Sequence, residues 1–288
     1  MGIHDSAVVI SHKPESIWHY ANPWRLVLHF VERRELTWQF TLREVQGRYR
    51  GSYLGILWAF ITPLLTLTVY TFVFSVIFKA QWRGSESESF MDFALTLFSG
   101  LIAFDVFSEC ATRAPTLIVS HPNYVKKVVF PLEILPVSVL GSVFIHSLMS
   151  LGIVLIGLLI SSGKLHWTVL YLPLVYLPLM ALTLGVSWLL ASVGVFIRDI
   201  GNFIGVMIQF LFFLTPIVYP ISAVPAALQP LFWLNPLAVI VENFRRVVMW
   251  GLPPDWLWLG VVTLISGLVM LGGYMWFMKI KRAFADVI

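Results

Sequence analysis

GNFIGVMIQFLFFLTPIVYPISAVPAALQPLFWLNPLAVIV, residues 201–241, contains no Asp, Glu, Lys or Arg, and has prolines at 216, 220, 225, 230 and 236. A membrane-spanning helix needs about 20 apolar residues. This stretch is too long for one span and too broken for a plain pair. It holds either two spans, or one span followed by a helix pair that dips into the membrane and returns.

The rest of the chain shows the same scarcity of charge. Of 288 residues, 58% are hydrophobic and 12% charged, about half the charge of a typical soluble domain. Further charge-poor runs cover Gly51–Phe78, Phe90–Ala111 (with Asp92 near its start, and interrupted by Asp105 and Glu109), Ile134–Ser162 (with only His146 titratable), Leu165–Ile197 and Trp256–Met278. Such blocks make lipid the solvent for most of the chain, so the sequence predicts an all-α integral membrane protein. No cleavable signal peptide is visible, and the N-terminal region is expected to stay on the side where it is made. The lone Cys110 rules out an intrachain disulfide and a cysteine-based metal site. The net charge of +4 reads as orientation information and gives no nucleic-acid footprint.

Basic residues choose between the two readings of 201–241, because they accumulate on the cytoplasmic side. Six spans with both termini inside place 14 of the 19 Lys and Arg residues in the cytoplasm, leaving Lys79, Arg83, Lys164, Arg245 and Arg246 outside. A seventh span would push a basic terminus out. The expected layout is a cytoplasmic segment at 1–32, an interfacial helix at 33–52, a six-span domain at 53–278 and a cytoplasmic tail at 279–288. Residues 221–255 then form an external re-entrant helix pair between spans five and six, where broken helix is tolerated only against protein or water.

RRELTWQFTLREVQGRYRGS, residues 33–52, sets Trp38, Leu42, Val45 and Tyr49 at steps of 4, 3 and 4, with Arg43, Gly47 and Arg50 opposite. Such a basic amphipathic helix is expected to lie flat in the cytoplasmic interface. A mere anchor and a working element both fit.

The chain lacks G-x-x-x-x-G-K-[ST], H-E-x-x-H and G-x-S-x-G. Few titratable groups fall within spans. Asp105, Glu109 and Arg113 sit four apart on one helix face, and Glu109 and Arg113 can pair locally. His146 reads as an interhelical hydrogen-bonding residue. No carboxylate series crosses the bilayer to run an ion-coupled cycle. In the fifth span Phe203, Phe210, Phe212, Phe213 and Tyr219 surround Gln209; these rings either pack and face lipid or line a path on which sugars stack. Sequence leaves both open.

A transporter without an ion relay or nucleotide site must draw energy from another protein. The contact is expected in HPNYVKKVVFP, residues 121–131, within the only sizeable cytoplasmic loop between spans (112–132). Pro122 and Asn123 can start a short helix, Tyr124 gives it an apolar side, Lys126 and Lys127 give it charge, and Pro131 stops it. An orientation signal or lipid-headgroup contact explains the lysines equally well.

Four stretches, LREVQGRYRGSYLGILWAFITPLL, HPNYVKKVVFPLEILPV, FIRDIGNFIGVMIQFLFFLTPIVYP and LNPLAVIVENFRRVV, resemble in order the blocks of one family. It is the membrane-spanning permease subunit of ABC transporters that export O-antigen, capsule or teichoic acid. The resemblance covers about residues 30–285. It implies a non-enzymatic homodimer in the bacterial inner membrane, working with two copies of a cytoplasmic ATPase that holds the ATP and Mg. It implies a lipid-linked glycan, such as O-antigen on undecaprenyl diphosphate, as cargo. It makes Glu35–Arg50 a gate helix, His121–Val129 the coupling helix, and the pair within 223–250 a periplasmic closure. Trp38, Leu42 and Tyr49 would belong to that gate helix, and Arg43, Arg48 and Arg50 would meet the carrier's diphosphate headgroup. A permease for a drug or simple lipid is the alternative. A membrane transferase using Asp105, Glu109 and His146 is a third reading.

Overall fold

A computed structural model describes residues 22–77, 82, 90–126 and 130–288; Lys127, named above, lies outside them. Among the described residues there is no strand. Asn22 caps α1 (Pro23–Glu32), its side chain accepting from the Trp24 amide at 3.0 Å with proline at the first position, where the missing N–H has no partner to lose. α2 (Arg34–Tyr49) follows. α3 (Trp58–Thr71) runs on as a π-helix through Phe72–Ile77.

α4 (Phe90–Leu117) leads to the one-turn α5 (Pro122–Lys126) and then α6 (Ile134–Ser162). α7 is Leu172–Phe196 and α8 is Ile200–Leu214. α9 (Gln229–Trp233) and α10 (Pro236–Val248) precede α11 (Trp256–Ile280) and the final turn α12 (Phe284–Val287).

Among the described residues, five helical stretches are long and apolar enough to cross a bilayer: Gly55–Phe74, Phe90–Leu117, Ile134–Ser162, Trp167–Phe196 and Trp256–Val287. The protein is a multi-pass, all-helical membrane protein. The 15 residues of α8 extend only about 22 Å at 1.5 Å per residue, short of the ~30 Å hydrocarbon layer.

Two boundaries differ from the sequence reading. α4 continues to Leu117 with Pro115 inside it, so the first residues of the loop expected at 112–132 are helical. Carbonyls freed by proline inside a bundle find other partners. α11 runs to Ile280, two residues past the expected span end at Met278, and the tail packs back on the bundle: Phe284 is fully buried, edge-on to Phe277 and tilted against Phe196.

α4 is the central post. It packs against α3, α6, α7, α8 and α10, and every residue from Phe93 to Phe104 is buried, as expected of a helix apolar all round. α7 and α11 touch backbone to backbone where Gly185 meets Gly273; a Cβ on either would strike the other helix. Small residues permit such close approach in lipid, where dispersion replaces the hydrophobic drive.

The break that ends α8 is held by α10. Asn235 caps α10, accepting from the Leu237 amide at 3.0 Å, and its Nδ2 reaches back to Thr215 Oγ1 at 3.1 Å and the Leu214 carbonyl at 3.3 Å. Arg245, one of the five basic residues left on the outer side by the charge count, is fully buried. Its guanidinium donates to the carbonyls of Pro216 (2.5 Å), Ile217 (2.6 Å) and Thr96 (3.2 Å), and lies 4.2 Å over the Trp82 ring. Glu242, one turn back, is 3.9 Å away. The space for this cation exists because position 100 on α4 is glycine; a side chain there would overlap the guanidinium. Cation and aromatic together replace the water that these carbonyls would otherwise need.

Replacing Arg245 by Met leaves the Pro216 and Ile217 carbonyls without their donor, while the Thr96 carbonyl keeps the Ser99 hydroxyl. The purified variant is expected to lose about 3 kcal/mol or more of stability, with Arg245→Lys losing less. A thermal midpoint in detergent unchanged by the Met variant would contradict the cage.

Candidate functional site

α1, α2, α5 and α12 gather at one end of the bundle. There α5 is held by its single ring. Tyr124 stacks between His121 (centroids 5.5 Å, planes 9° apart) and Phe130 (4.7 Å, 23°), and Phe40 of α2 approaches it edge-on at 5.7 Å. Arg43 of α2 donates to the Tyr124 hydroxyl at 3.0 Å. Lys126 donates to the Ile288 carbonyl at 2.6 Å. Pro122, Asn123 and Lys126 remain exposed. The helix therefore offers a small outer face, while its inner face is stapled to α2 and to the C-terminal turn.

α2 docks differently from the pattern read in its sequence. Trp38 and Leu42 do face outward, at 55% and 37% exposure. The face packed on the bundle lies about a quarter turn away and is largely polar, because successive helical positions rotate by 100°. Thr41 is buried against Gly141 of α6. Glu44 pairs with Arg113, Arg48 pairs with Glu109, and Arg113 also reaches Glu109 at 3.6 Å. The local Glu109–Arg113 pair expected from spacing thus exists, and each member finds a second partner on α2. Alternating charges that each hold two opposite neighbours bind more firmly than isolated exposed pairs.

At the end of α2, Tyr49 leaves the aromatic stripe. Its hydroxyl hydrogen-bonds His146 Nδ1 at 3.0 Å, with the rings perpendicular within 20°. Desolvation raises the Tyr49 phenol above its ordinary value, against the opposing charge of Arg48, so the hydroxyl keeps its proton. Arg50 stays exposed.

Two cavities meet at this junction. One of about 950 Å³ is lined by Arg43, Glu44, Gly47, Arg50 and Arg113. The other, of about 590 Å³, reaches between α3, α4 and α6 and is lined by Trp58, Thr62, Thr66, Asp105, His146 and Ser150. Arg48, Tyr49 and Glu109 border both. A charged mouth therefore opens onto a polar chamber inside the membrane-spanning helices, with one salt bridge and one tyrosine at the neck.

The expected path residues of the fifth span lie elsewhere. Phe203, Gln209, Phe210 and Phe213 are exposed on α8, and neither cavity includes them. Phe212 turns inward to Phe104 (5.5 Å) and Tyr70 (6.2 Å), while Tyr219 donates to the Phe213 carbonyl at 2.5 Å. Sequence reading missed Thr62, Thr66 and Ser150. Their signal was hydroxyls one turn apart on otherwise apolar spans. Among the described residues no group of three or more His, Cys, Asp or Glu side chains could hold a metal.

Residues 35–249 match the family described as ABC-2 type transporter, three quarters of the chain and the whole stretch from α2 through α10. The chain belongs to that family. Its relatives include the O-antigen export system permease protein RfbA of Myxococcus xanthus, 27% identical over 80% of this chain and 86% of the relative. The Klebsiella pneumoniae RfbA protein is 26% identical over 86% and 93%. The polysialic acid transport protein KpsM of Escherichia coli is 25% identical over 73% and 80%.

In this ABC-2 transporter chain the same end of the bundle is fastened by one carboxylate. Glu133, 2% exposed, sits just before α6. It takes His29 at 2.8 Å and Arg33 at 3.3 Å on one oxygen, and Lys281 at 2.6 Å on the other. Its backbone carbonyl accepts from Trp188 Nε1 at 3.1 Å. Four separate parts of the chain meet there. Burial alone would raise its pKa, but the His29 hydrogen bond and the Lys281 charge outweigh burial and hold it down to about 2, against an ordinary 4.5.

A depressed carboxylate pKa stabilises the fold above the unfolded value and loses that contribution as pH falls through the folded value. Stability should therefore fall between about pH 4.5 and 2, by on the order of 3 kcal/mol, in addition to what other groups lose. Glu133→Gln should be less stable at neutral pH and flatter across that window. Parallel acid profiles for the two proteins would contradict the assignment.

Proposed function

We propose that this chain is the permease subunit of an ATP-driven exporter that moves a polysaccharide on a lipid diphosphate carrier out of the cytoplasm. The carrier is most simply undecaprenyl diphosphate, and the polysaccharide an O-antigen. Two copies form a homodimer in a bacterial inner membrane, with two copies of a separate cytoplasmic ATPase that binds ATP and Mg. The names of the relatives, O-antigen export permease and polysialic acid transport protein, support the glycan class. The balance of basic residues supports cytoplasmic termini and six spans, α8 being the short fifth. α9 and α10 are then the periplasmic re-entrant pair.

The observation that carries the reading is the Tyr124 clamp. α5 exposes Pro122, Asn123 and Lys126 to a docking partner, and Tyr124 ties whatever displaces it to Phe40 and Arg43 of α2. The far end of α2 carries Arg48 and Tyr49 at the neck between the cavities. A push on α5 is passed along α2 to that neck. The mouth, with Arg43, Arg48 and Arg50, suits a diphosphate, which guanidinium groups bind through charge-assisted hydrogen bonds. The exposed stripe of Phe203, Phe210 and Phe213 beside Gln209 would meet its counterpart across the dimer and give sugars faces to stack on.

With the partner ATPase in proteoliposomes, Tyr124→Ala should leave ATP hydrolysis within about twofold. Export should fall roughly tenfold or more, since a ring stack and a hydrogen bond together are worth about 1.4 kcal/mol or more. Charge reversal at Lys126 should act in the same direction. Unchanged export in both variants would remove the coupling role of α5.

A further inference from the structure

The inner cavity has features that the carrier headgroup does not explain. Three spans each turn a pair of polar residues, one helical turn apart, into it: Thr62 and Thr66 from α3, Asp105 and Glu109 from α4, His146 and Ser150 from α6. Residues four apart share a helix face, so these pairs are three short polar stripes on otherwise apolar helices. Asp105 is the most unusual. It directly follows the buried run Phe93–Phe104, yet is itself exposed to the cavity. Glu109 is paired with Arg48 and Arg113. The Asp105 side chain, by contrast, makes no hydrogen bond or ion pair among the described residues, nor do the hydroxyls of Thr62, Thr66 and Ser150. Polar side chains at membrane depth are costly unless they pair with one another or serve a ligand.

We infer that this cavity is a seat for the lipid-proximal sugars of the cargo, recognised by hydrogen bonds from their hydroxyls to Asp105, Thr62, Thr66 and Ser150. The inference rests on the exporter reading above and adds a second binding element to it. A carboxyl offers two oxygens, which vicinal hydroxyls of a pyranose can engage together. Threonine and serine hydroxyls both donate and accept, so they tolerate either polarity of a sugar hydroxyl. Trp58 borders the same space, its indole N–H donating to Ser52 Oγ at 3.0 Å. That bond holds an aromatic face beside the polar stripes, the pairing of stacking surface and hydrogen bonds that a sugar ring needs. An acidic sugar would bring a second carboxyl beside Asp105, and two carboxyls sharing low-dielectric surroundings cannot both ionise without cost. The seat therefore selects a neutral hexose or N-acetylhexosamine over an acidic sugar.

Its position also gives it a use. The cavity joins the charged mouth through Arg48, Tyr49 and Glu109, so a carrier whose diphosphate sits at the mouth would place its first sugars beyond the neck. A bare carrier would leave the polar stripes unpaired, and the site would discriminate loaded from unloaded lipid by that deficit.

The test uses the permease–ATPase complex in nanodiscs and two probes: undecaprenyl diphosphate alone, and the same lipid bearing an N-acetylhexosamine disaccharide. The wild-type complex should bind the glycosylated probe about tenfold more tightly, and Asp105→Asn should reduce that ratio to near one. Ser150→Ala, a milder truncation, should reduce it about threefold. If the wild type prefers the glycosylated probe but both variants keep the full preference, the sugar seat is wrong and the exporter reading stands. If the wild type binds neither probe, the exporter reading itself fails. A change of subunit stoichiometry in Asp105→Asn would make the cavity a subunit contact and overturn the proposal.

Discussion

A carbonyl without a donor inside a bilayer costs several kcal/mol, which is why irregular backbone survives at that depth only against protein. The Arg245 guanidinium meets that constraint where α8 stops short, bonding the Pro216, Ile217 and Thr96 carbonyls at once. Much else follows from it. Position 100 of the central helix must be glycine to admit the cation. α10 must be buried over most of its length so that its last turn can deliver Arg245. Asn235 at the other end of α10 then closes the break from its own side. One short helix, fixed at both ends by polar side chains, makes a proline-broken segment a defined structure.

The opposite end of the bundle is built by charge. Glu133 collects His29, Arg33 and Lys281, and the Glu44, Arg48, Glu109 and Arg113 series joins α2 to α4. α2 is therefore a helix with two attachments of different kinds. At Phe40 and Arg43 it is linked by a ring cluster to α5; at Arg48 and Tyr49 it is linked by ionic and hydrogen bonds to the neck between the cavities. Ring stacking resists sliding poorly but transmits compression. Ion pairs re-form readily between alternative partners, and Glu109 already has two. A rigid rod with a compressive joint at one end and an exchangeable joint at the other is suited to pass a displacement inward. In the proposed cycle the exposed apolar face of α2, with Trp38 and Leu42, would keep the rod against lipid.

How much of this was readable beforehand divides along physical lines. Five of the six expected spans were legible because burial in lipid demands long apolar runs, the expected fifth being the short α8, and α5 was legible because Pro122 and Pro131 bracket it. The α2 helix was legible, but not its docked face. Aromatic spacing marks the side toward lipid, whereas Glu44, Thr41 and Arg48 acquire their roles only once α4 and α6 supply partners. The role of Arg245 was not legible for a related reason: counting charges assigns a side of the membrane, and nothing local shows that backbone carbonyls of α4 and of the break after α8 await it. Thr62, Thr66 and Ser150 were overlooked because hydroxyls in membrane helices commonly bond their own backbone. The aromatic run of α8 was visible, yet its outward placement needed coordinates.

The central proposal is that displacement enters at α5 from a nucleotide-hydrolysing partner and passes along α2 to the neck between the cavities. It is tested most directly in proteoliposomes containing the permease with or without its ATPase and a fluorescent polyprenyl diphosphate glycan. Translocation of the labelled lipid should require both the ATPase and hydrolysable ATP, and should ignore an imposed proton or sodium gradient. Uphill movement by the permease alone on such a gradient would contradict the account.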